Sequence, residues 1–377
     1  MSSNVKSLFS LRNWLIYAEV LAVVGFVVLA VLYIRRGSAE PESPPVSQVG
    51  AFIEKADALF AQEDLVDAAL LYWRALQALE TVEKEQVVSV NGESQTSAAV
   101  GLHANLRIAE IYSRSNWLKD AKARLAYAAR IQPDHPDVRL LRGKLLRDEG
   151  LDDDLLAQAT EEFLAVLESD PSNAEAHYLL GVLYQGNRQL EQAVEYYKKA
   201  IESDPELKDV ASEKAPIGIL ARLQLSRTYA KMLQGYQFLD REFTDEDMAE
   251  VTRLESEPIL LLEQAVEKRP EMDEIVTDLV RLYFARASAL EREDIETRRY
   301  ADALQVYERI VALDPQEVRA WERMAEIYGS FLGDKAKALE MYRKVYEIEP
   351  HPTVLANIKS FEEDLEAEEE DLEVGTE

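Results

Sequence analysis

Apolar residues recur along most of this 377-residue chain three and four positions apart, the spacing that lines one face of an α-helix. From about residue 49 to 351 the pattern predicts helices in pairs. Second helices stop at Pro133, Pro171, Pro205, Pro270, Pro315 and Pro350, because proline cannot continue a helix. No stretch reads as a sheet. Residues 81–100, with the polar core SVNGESQTS, read as a loop. The pattern also breaks in the fifth pair: its first helix runs from Ile217 to about Leu233, and its second begins only near Pro258. Residues 234–257 are thus an insertion, either a binding loop or extra helical turns. A smaller insertion spans residues 286–299. One run differs in kind. Residues 14–34 (WLIYAEVLAVVGFVVLAVLYI) are apolar all round with one charge, Glu19.

The spacing inside the pairs is specific. In 174–205, His177, Leu180, Gly181 and Tyr184 are followed by Ala193, Tyr197, Ala200 and Pro205. Gly181, Ala193 and Ala200 let two antiparallel helices approach closely, while Leu180, Tyr184, Val194 and Tyr197 fill the space between them. Tyr112, Ala121, Leu125, Ala128 and Pro133 keep the same spacing, as do Leu146, Ala159, Phe163, Val166 and Pro171. Trp321, Met324, Ala325 and Tyr328 make a first helix, completed by Ala338, Tyr342, Val345 and Pro350 with one residue inserted in the turn. Partial units come from Phe52, Ala56, Leu59, Ala68, Tyr72 and Ala75, from Leu262, Ala265 and Pro270, and from Ala303, Tyr307, Ile310 and Pro315. On these residues the chain resembles the tetratricopeptide repeat family over residues 49–351, most closely in 102–207 and 303–351. The resemblance implies an all-α fold: a right-handed α-solenoid of about seven helical hairpins, here preceded by one transmembrane helix.

The run 14–34 is long enough to cross a bilayer core of about 30 Å, with Trp14 and Tyr33 near its ends. It is too long for a cleaved leader and lacks a small-residue cleavage site, so an uncleaved anchor is expected after a tail of residues 1–13. Orientation is close to a tie. Keeping Lys6, Arg12 and the terminal amine inside places the repeats in a bacterial periplasm, and holding Arg35 and Arg36 inside places them in the cytoplasm. Exporting two cations and an amine is the costlier choice, which favours a bacterial inner-membrane protein with periplasmic repeats. The Pro/Ser-rich stretch 35–48 reads as a tether, and residues 352–377 as a capping helix and acidic tail.

Charge narrows the partners. Net charge is −29, and residues 361–377 hold ten acids with no Lys or Arg. Such a surface repels nucleic acid and anionic headgroups, so no nucleic-acid partner is expected. The tail reads as a solvated end, or else as a hook for a basic partner. With no cysteine there are no disulfides and no thiolate metal sites.

Catalytic patterns do not emerge. Arg142-Gly143-Lys144 lacks the upstream glycine of a phosphate loop, and His103, His135, His177 and His351 are far apart. Asp152, Asp153 and Asp154 lack the glycine and terminal Glu of a calcium loop. No enzyme activity, cofactor or metal is expected. In the repeat family, first helices line a concave groove that receives a peptide or helix. Phasing the helices puts Leu106, Arg107, Glu110 and Arg114 there, then Lys144, Leu145 and Asp148, then Tyr178, Leu179, Val182 and Gln185. Arg227 and Lys231 follow, and Arg319, Arg323 and Glu326 close the series. The cations point either to an acidic or C-terminal carboxylate ligand, or to ordinary inter-helix salt bridges. Family members that clamp chaperone tails use Lys and Asn where this chain has Leu106 and Glu110, so that activity does not carry over. The expected function is a membrane-anchored scaffold or assembly factor binding a protein partner through the groove. A permanent subunit of a larger membrane complex and a regulatory adaptor are the alternatives, and oligomeric state is not legible.

Overall fold

The computed structural model describes residues 45–80, 82–150, 152–204, 216–237, 242–292 and 299–374. Among them, helices follow one another as hairpins. After a 3₁₀ turn at Val46–Gln48 come α1 (Val49–Ala61) with α2 (Leu65–Leu79), α3 (Ser97–Arg114) with α4 (Leu118–Ile131), and α5 (Pro136–Glu149) with α6 (Asp153–Ser169). Next are α7 (Ala174–Gly186) with α8 (Leu190–Ser203), α9 (Ile217–Gln237) with α10 (Asp245–Lys268), and α11 (Asp273–Arg292) with α12 (Tyr300–Leu313). The last pair joins α13 (Val318–Glu326) and a π-helical segment (Ile327–Leu332) to α14 (Lys335–Ile348), and α15 (Pro352–Val374) packs on α14. Contacts divide the chain into two compact units, one ending at Leu183 and the other starting at Tyr184, within α7.

Small residues set the helix spacing. Ala68, Ala75, Ala121, Ala128, Ala159, Ala193, Ala200, Ala303 and Ala338 are fully buried, beside the buried aromatics Tyr72, Phe163, Tyr197 and Tyr307. At Gly143 even a methyl group would sit 2.4 Å from the Phe163 ring, so α5 and α6 meet at glycine. The turns inside hairpins put Glu63, Asn116, Arg188 and Gly333 at positive φ, a compact reversal that lets the second helix start at once.

Several expectations change. The fold does not open on a membrane-crossing helix among the described residues: helical structure begins at Val46, and no helix described is long and apolar enough to cross a membrane. The run 14–34 lies outside the described residues, as does Pro205. The fold is also not purely helical. Residues 81–100 contain a β-hairpin, β1 (Val87–Val90) with β2 (Glu93–Thr96), paired Val90↔Glu93 to Val87↔Thr96. Asn91 and Gly92 turn it with both φ positive (51° and 78°), the two-residue turn whose twist suits a hairpin. Val88 and Val90 enter a core with Val49, Ile53 and Tyr72, while Val87 is exposed. In the fifth pair the second helix starts at Asp245, not near Pro258. A capping box, Thr244 with Asp247, initiates it, and Pro258 is carried buried within the helix. The insertion 234–257 is therefore mostly extra helix. The residue expected in the last pair's turn is absorbed instead as the π-helical segment, where one extra residue widens the helix.

The β-hairpin stands against α1 because Gly50 has no side chain: a Cβ there would lie 1.9 Å from the Ser89 carbonyl oxygen. Gly50→Ala is expected to displace the hairpin and lower stability by about 1–3 kcal/mol. Hydrogen exchange should show lost protection confined to 87–96 and the start of α1. Unchanged protection there would contradict this packing.

Candidate functional site

The residues phased onto the first helices are, for the most part, already engaged. In the first unit, Arg107 donates to Glu110 at 3.1 Å and lies 4.8 Å from the Phe60 ring centroid. Arg114 pairs with Glu63 and lies 5.7 Å from the same ring. Lys144 pairs with Glu175, and Asp148 with Arg147 at 2.8 Å. Leu106, Leu145 and Leu179 are buried, and Tyr178 and Val182 are half-buried. In the second unit, Gln185 donates to Thr228 Oγ1 at 2.7 Å. Arg227 reaches two carboxylates of α11, Asp278 at 2.6 Å and Glu274 at 2.8 Å. Arg319 pairs with Glu317 at 2.7 Å and lies over Phe284, and Arg323 bridges Glu291 and Glu326. Lys231 is exposed and has no ion pair among the described residues. Within each unit the other cations form a ladder of pairs: Lys144, Arg227 and Arg323 tie neighbouring helices together, while Arg107 and Arg319 pair locally.

Beneath this ladder lies a set of linkages that sequence reasoning missed. The second-helix tyrosine is buried in several hairpins, and its hydroxyl needs a partner. Tyr72 on α2 donates to Asp57 on α1, and His103 Nε2 on α3 contacts the same carboxylate oxygen at 2.8 Å. Tyr307 on α12 donates to Glu291 on α11 at 2.7 Å, and Arg323 Nε on α13 donates to that carboxylate at 2.8 Å. A variant has its tyrosine on a first helix: Tyr283 on α11 donates to Glu263 on α10 at 2.5 Å, and Glu263 also accepts from Arg309 on α12 at 2.7 Å. Each time, a carboxylate joins a tyrosine to a basic side chain from another helix. Burial and the neighbouring Glu263 push the Tyr283 hydroxyl up to about 12, and burial with Glu291 raises Tyr307 further. Burial works against the Asp57 charge, but the bonds from His103 and Tyr72 outweigh it and hold that carboxyl below its ordinary value.

His177 has a structural task. Its Nε2 lies 2.9 Å from the Pro171 carbonyl, and Trp321 Nε1 donates to the Pro315 carbonyl at 3.1 Å from the same repeat position. Either ring pins the first helix to the preceding turn. Among the described residues no His, Asp and Glu cluster could hold a metal ion.

Comparison with known proteins fits this construction. Residues 174–207 and 318–352 each match a tetratricopeptide repeat model. No curated protein matches the chain significantly. Among solved structures, a tetratricopeptide repeat protein from Parabacteroides merdae is 14% identical with a TM-score of 0.38, covering 83% of this chain and 98% of that one. The C-terminal part of a repeat-containing protein from Cytophaga hutchinsonii is 13% identical with a TM-score of 0.47, covering 81% and 99%. Pseudomonas aeruginosa pilF is 14% identical with a TM-score of 0.42, covering 71% and 100%. At these scores the likenesses say nothing of what this chain binds. The chain carries tetratricopeptide repeats, a non-catalytic interaction fold.

Two outcomes test the linkages. Glu291 is among the most buried carboxylates here, its side chain 8% exposed, so Arg323→Ala strands it and is expected to cost about 3 kcal/mol in denaturant unfolding. Adding Glu291→Gln should recover part of that loss; simple additivity would contradict the linkage. Asp57 has a lowered folded value, so its contribution is complete above the ordinary carboxylate range and fades as pH falls through that lowered value. Asp57→Asn should therefore lower stability by about 1–2 kcal/mol at neutral pH and flatten the acid-side loss. An unchanged pH profile would contradict it.

Proposed function

We propose that this chain is a scaffold that holds a partner protein on the first-helix face of its hairpins and acts by binding. Tetratricopeptide repeats mediate protein–protein interactions. The observation that carries the reading further is the pairing of Arg107, Arg114, Lys144, Arg227, Arg319 and Arg323 with carboxylates of the same chain. A bare carboxylate ligand must compete with those partners. A segment offering both donors and acceptors fits such a ladder better than a C-terminal carboxylate does. Exposed Lys231, with no ion pair among the described residues, is the position most open to it.

A second reading, a permanent subunit of a larger complex, draws support from exposed apolar side chains. Leu260 and Met248 on α10 are 55% and 52% exposed, and Leu332 and Phe331 in the π-helical segment 48% and 45%.

Affinity purification of the tagged full chain separates the two. A scaffold should recover a partner at low salt and release it in about 1 M NaCl, where the screening length falls to about 3 Å. Lys231→Glu should cut recovery at least about fivefold, or roughly 1 kcal/mol. Recovery of one large complex that survives the salt wash and ignores the substitution would contradict the scaffold and favour the fixed subunit.

A further inference from the structure

Two crevices, each where a second helix meets the first helix of the next hairpin, differ in the charge of their walls. One, of about 410 Å³, lies between α4 and α5, with Leu125, Leu145 and Leu146 as its floor and Lys122, Arg130 and Arg142 around it. The other, of about 390 Å³, lies against α10, α11 and α12. Leu125 and Ala128 hold the repeat positions of Leu262 and Ala265, so the walls compare position by position. Ala126 answers to Glu263, Arg130 to Glu267, Arg142 to Leu279 and Leu146 to Tyr283, all of which line their crevices. The architecture is shared, but one wall carries Glu263 and Glu267 with Arg309, and the other Lys122, Arg130 and Arg142 with no acid.

The basic crevice sits in a basic neighbourhood. Residues 101–150 hold ten Lys or Arg against six Asp or Glu, in a chain with 42 against 71. Two rim cations are partly compensated, Lys122 by Glu149 and Arg142 by Glu162 at 2.8 Å. Arg130 is exposed, has no ion pair among the described residues, and lies 5.2 Å from the ring of Tyr127, itself 50% exposed. Arg124 extends this strip, 3.6 Å from the Trp73 ring centroid. Charge within a Debye length of about 8 Å decides what a short segment meets there, so the overall negative charge does not govern it.

We propose that the α4–α5 crevice docks an acidic amphipathic segment of a partner protein, its apolar side chains on Leu125, Leu145 and Leu146 and its carboxylates on Arg130 and the rim. This rests on the scaffold reading but uses a surface apart from the first-helix ladder. An apolar floor selects a peptide over inorganic phosphate or nucleic acid. The chain's own acidic segment is the weaker occupant, since Glu362 and Asp364 already pair with Arg343 and Lys335.

Fluorescence anisotropy on the full chain tests it, with a labelled helical peptide in which Leu recurs every fourth residue among Glu. Arg130→Glu should weaken binding at least about tenfold. Lys231→Glu, an equal charge change on the first-helix face, should alter it by less than about twofold. The same peptide with Gln for every Glu should bind at least about tenfold more weakly. Equal loss in both variants would reduce the effect to bulk charge and overturn the inference. Loss with Lys231→Glu alone would overturn it while leaving the scaffold reading intact. Absence of binding, or indifference to Gln, overturns it as well. Tighter binding of a peptide of residues 361–377, with tail-dependent self-association of the chain, would replace the partner by a second copy.

Discussion

A buried phenol is the constraint on which much of this architecture turns. The repeat places a large aromatic side chain on the second helix to fill the space left by small residues, and in several hairpins that side chain is tyrosine. A buried hydroxyl without a partner costs about 1–3 kcal/mol, and Tyr72 and Tyr307 each have an acceptor nearby. Asp57 and Glu291 supply it from the first helix, and a buried carboxylate in turn requires a basic partner. His103 and Arg323 come from the first helix of the following hairpin. Satisfying one hydroxyl thus links three consecutive helices, and order along the chain follows from local need.

The same logic explains the first-helix face. Arg323 belongs to both the interior linkage and the surface ladder, through Glu291 on one side and Glu326 on the other. Arg227 spans to α11 in a similar way. Cations such as Arg227 and Arg323 are committed to holding hairpins together, and under the scaffold reading proposed above a bare carboxylate ligand would have to compete with their partners. The α4–α5 crevice, where Arg130 has no ion pair among the described residues, is a basic surface on an acidic chain.

Much of this was legible in the sequence, and the gaps have physical causes. The Ala193–Tyr197–Ala200 spacing marks second helices wherever it recurs, because close approach admits only small residues there. The β-hairpin is hard to read although Asn91-Gly92 is a strong turn signal, because its apolar strand is only four residues (VVSV) and its partner strand (ESQT) is wholly polar. Pro258 misled because proline favours a helix start, while the true signal, Thr244 with Asp247, lay upstream. The one-residue insertion before Gly333 was legible, but not whether turn or helix would absorb it. The partners of the cations were out of reach. Arg227 and Asp278 lie far apart along the chain, and only the fold brings them to 2.6 Å.

The central claim is that each tyrosine linkage holds its own neighbouring hairpins, and native-state hydrogen exchange on Tyr307→Phe in the full chain tests it most directly. The account predicts lost protection concentrated in α11, α12 and α13, where Glu291 and Arg323 lose their shared anchor, with α1 to α4 unchanged. Protection unchanged throughout, or lowered equally in every hairpin, would contradict it.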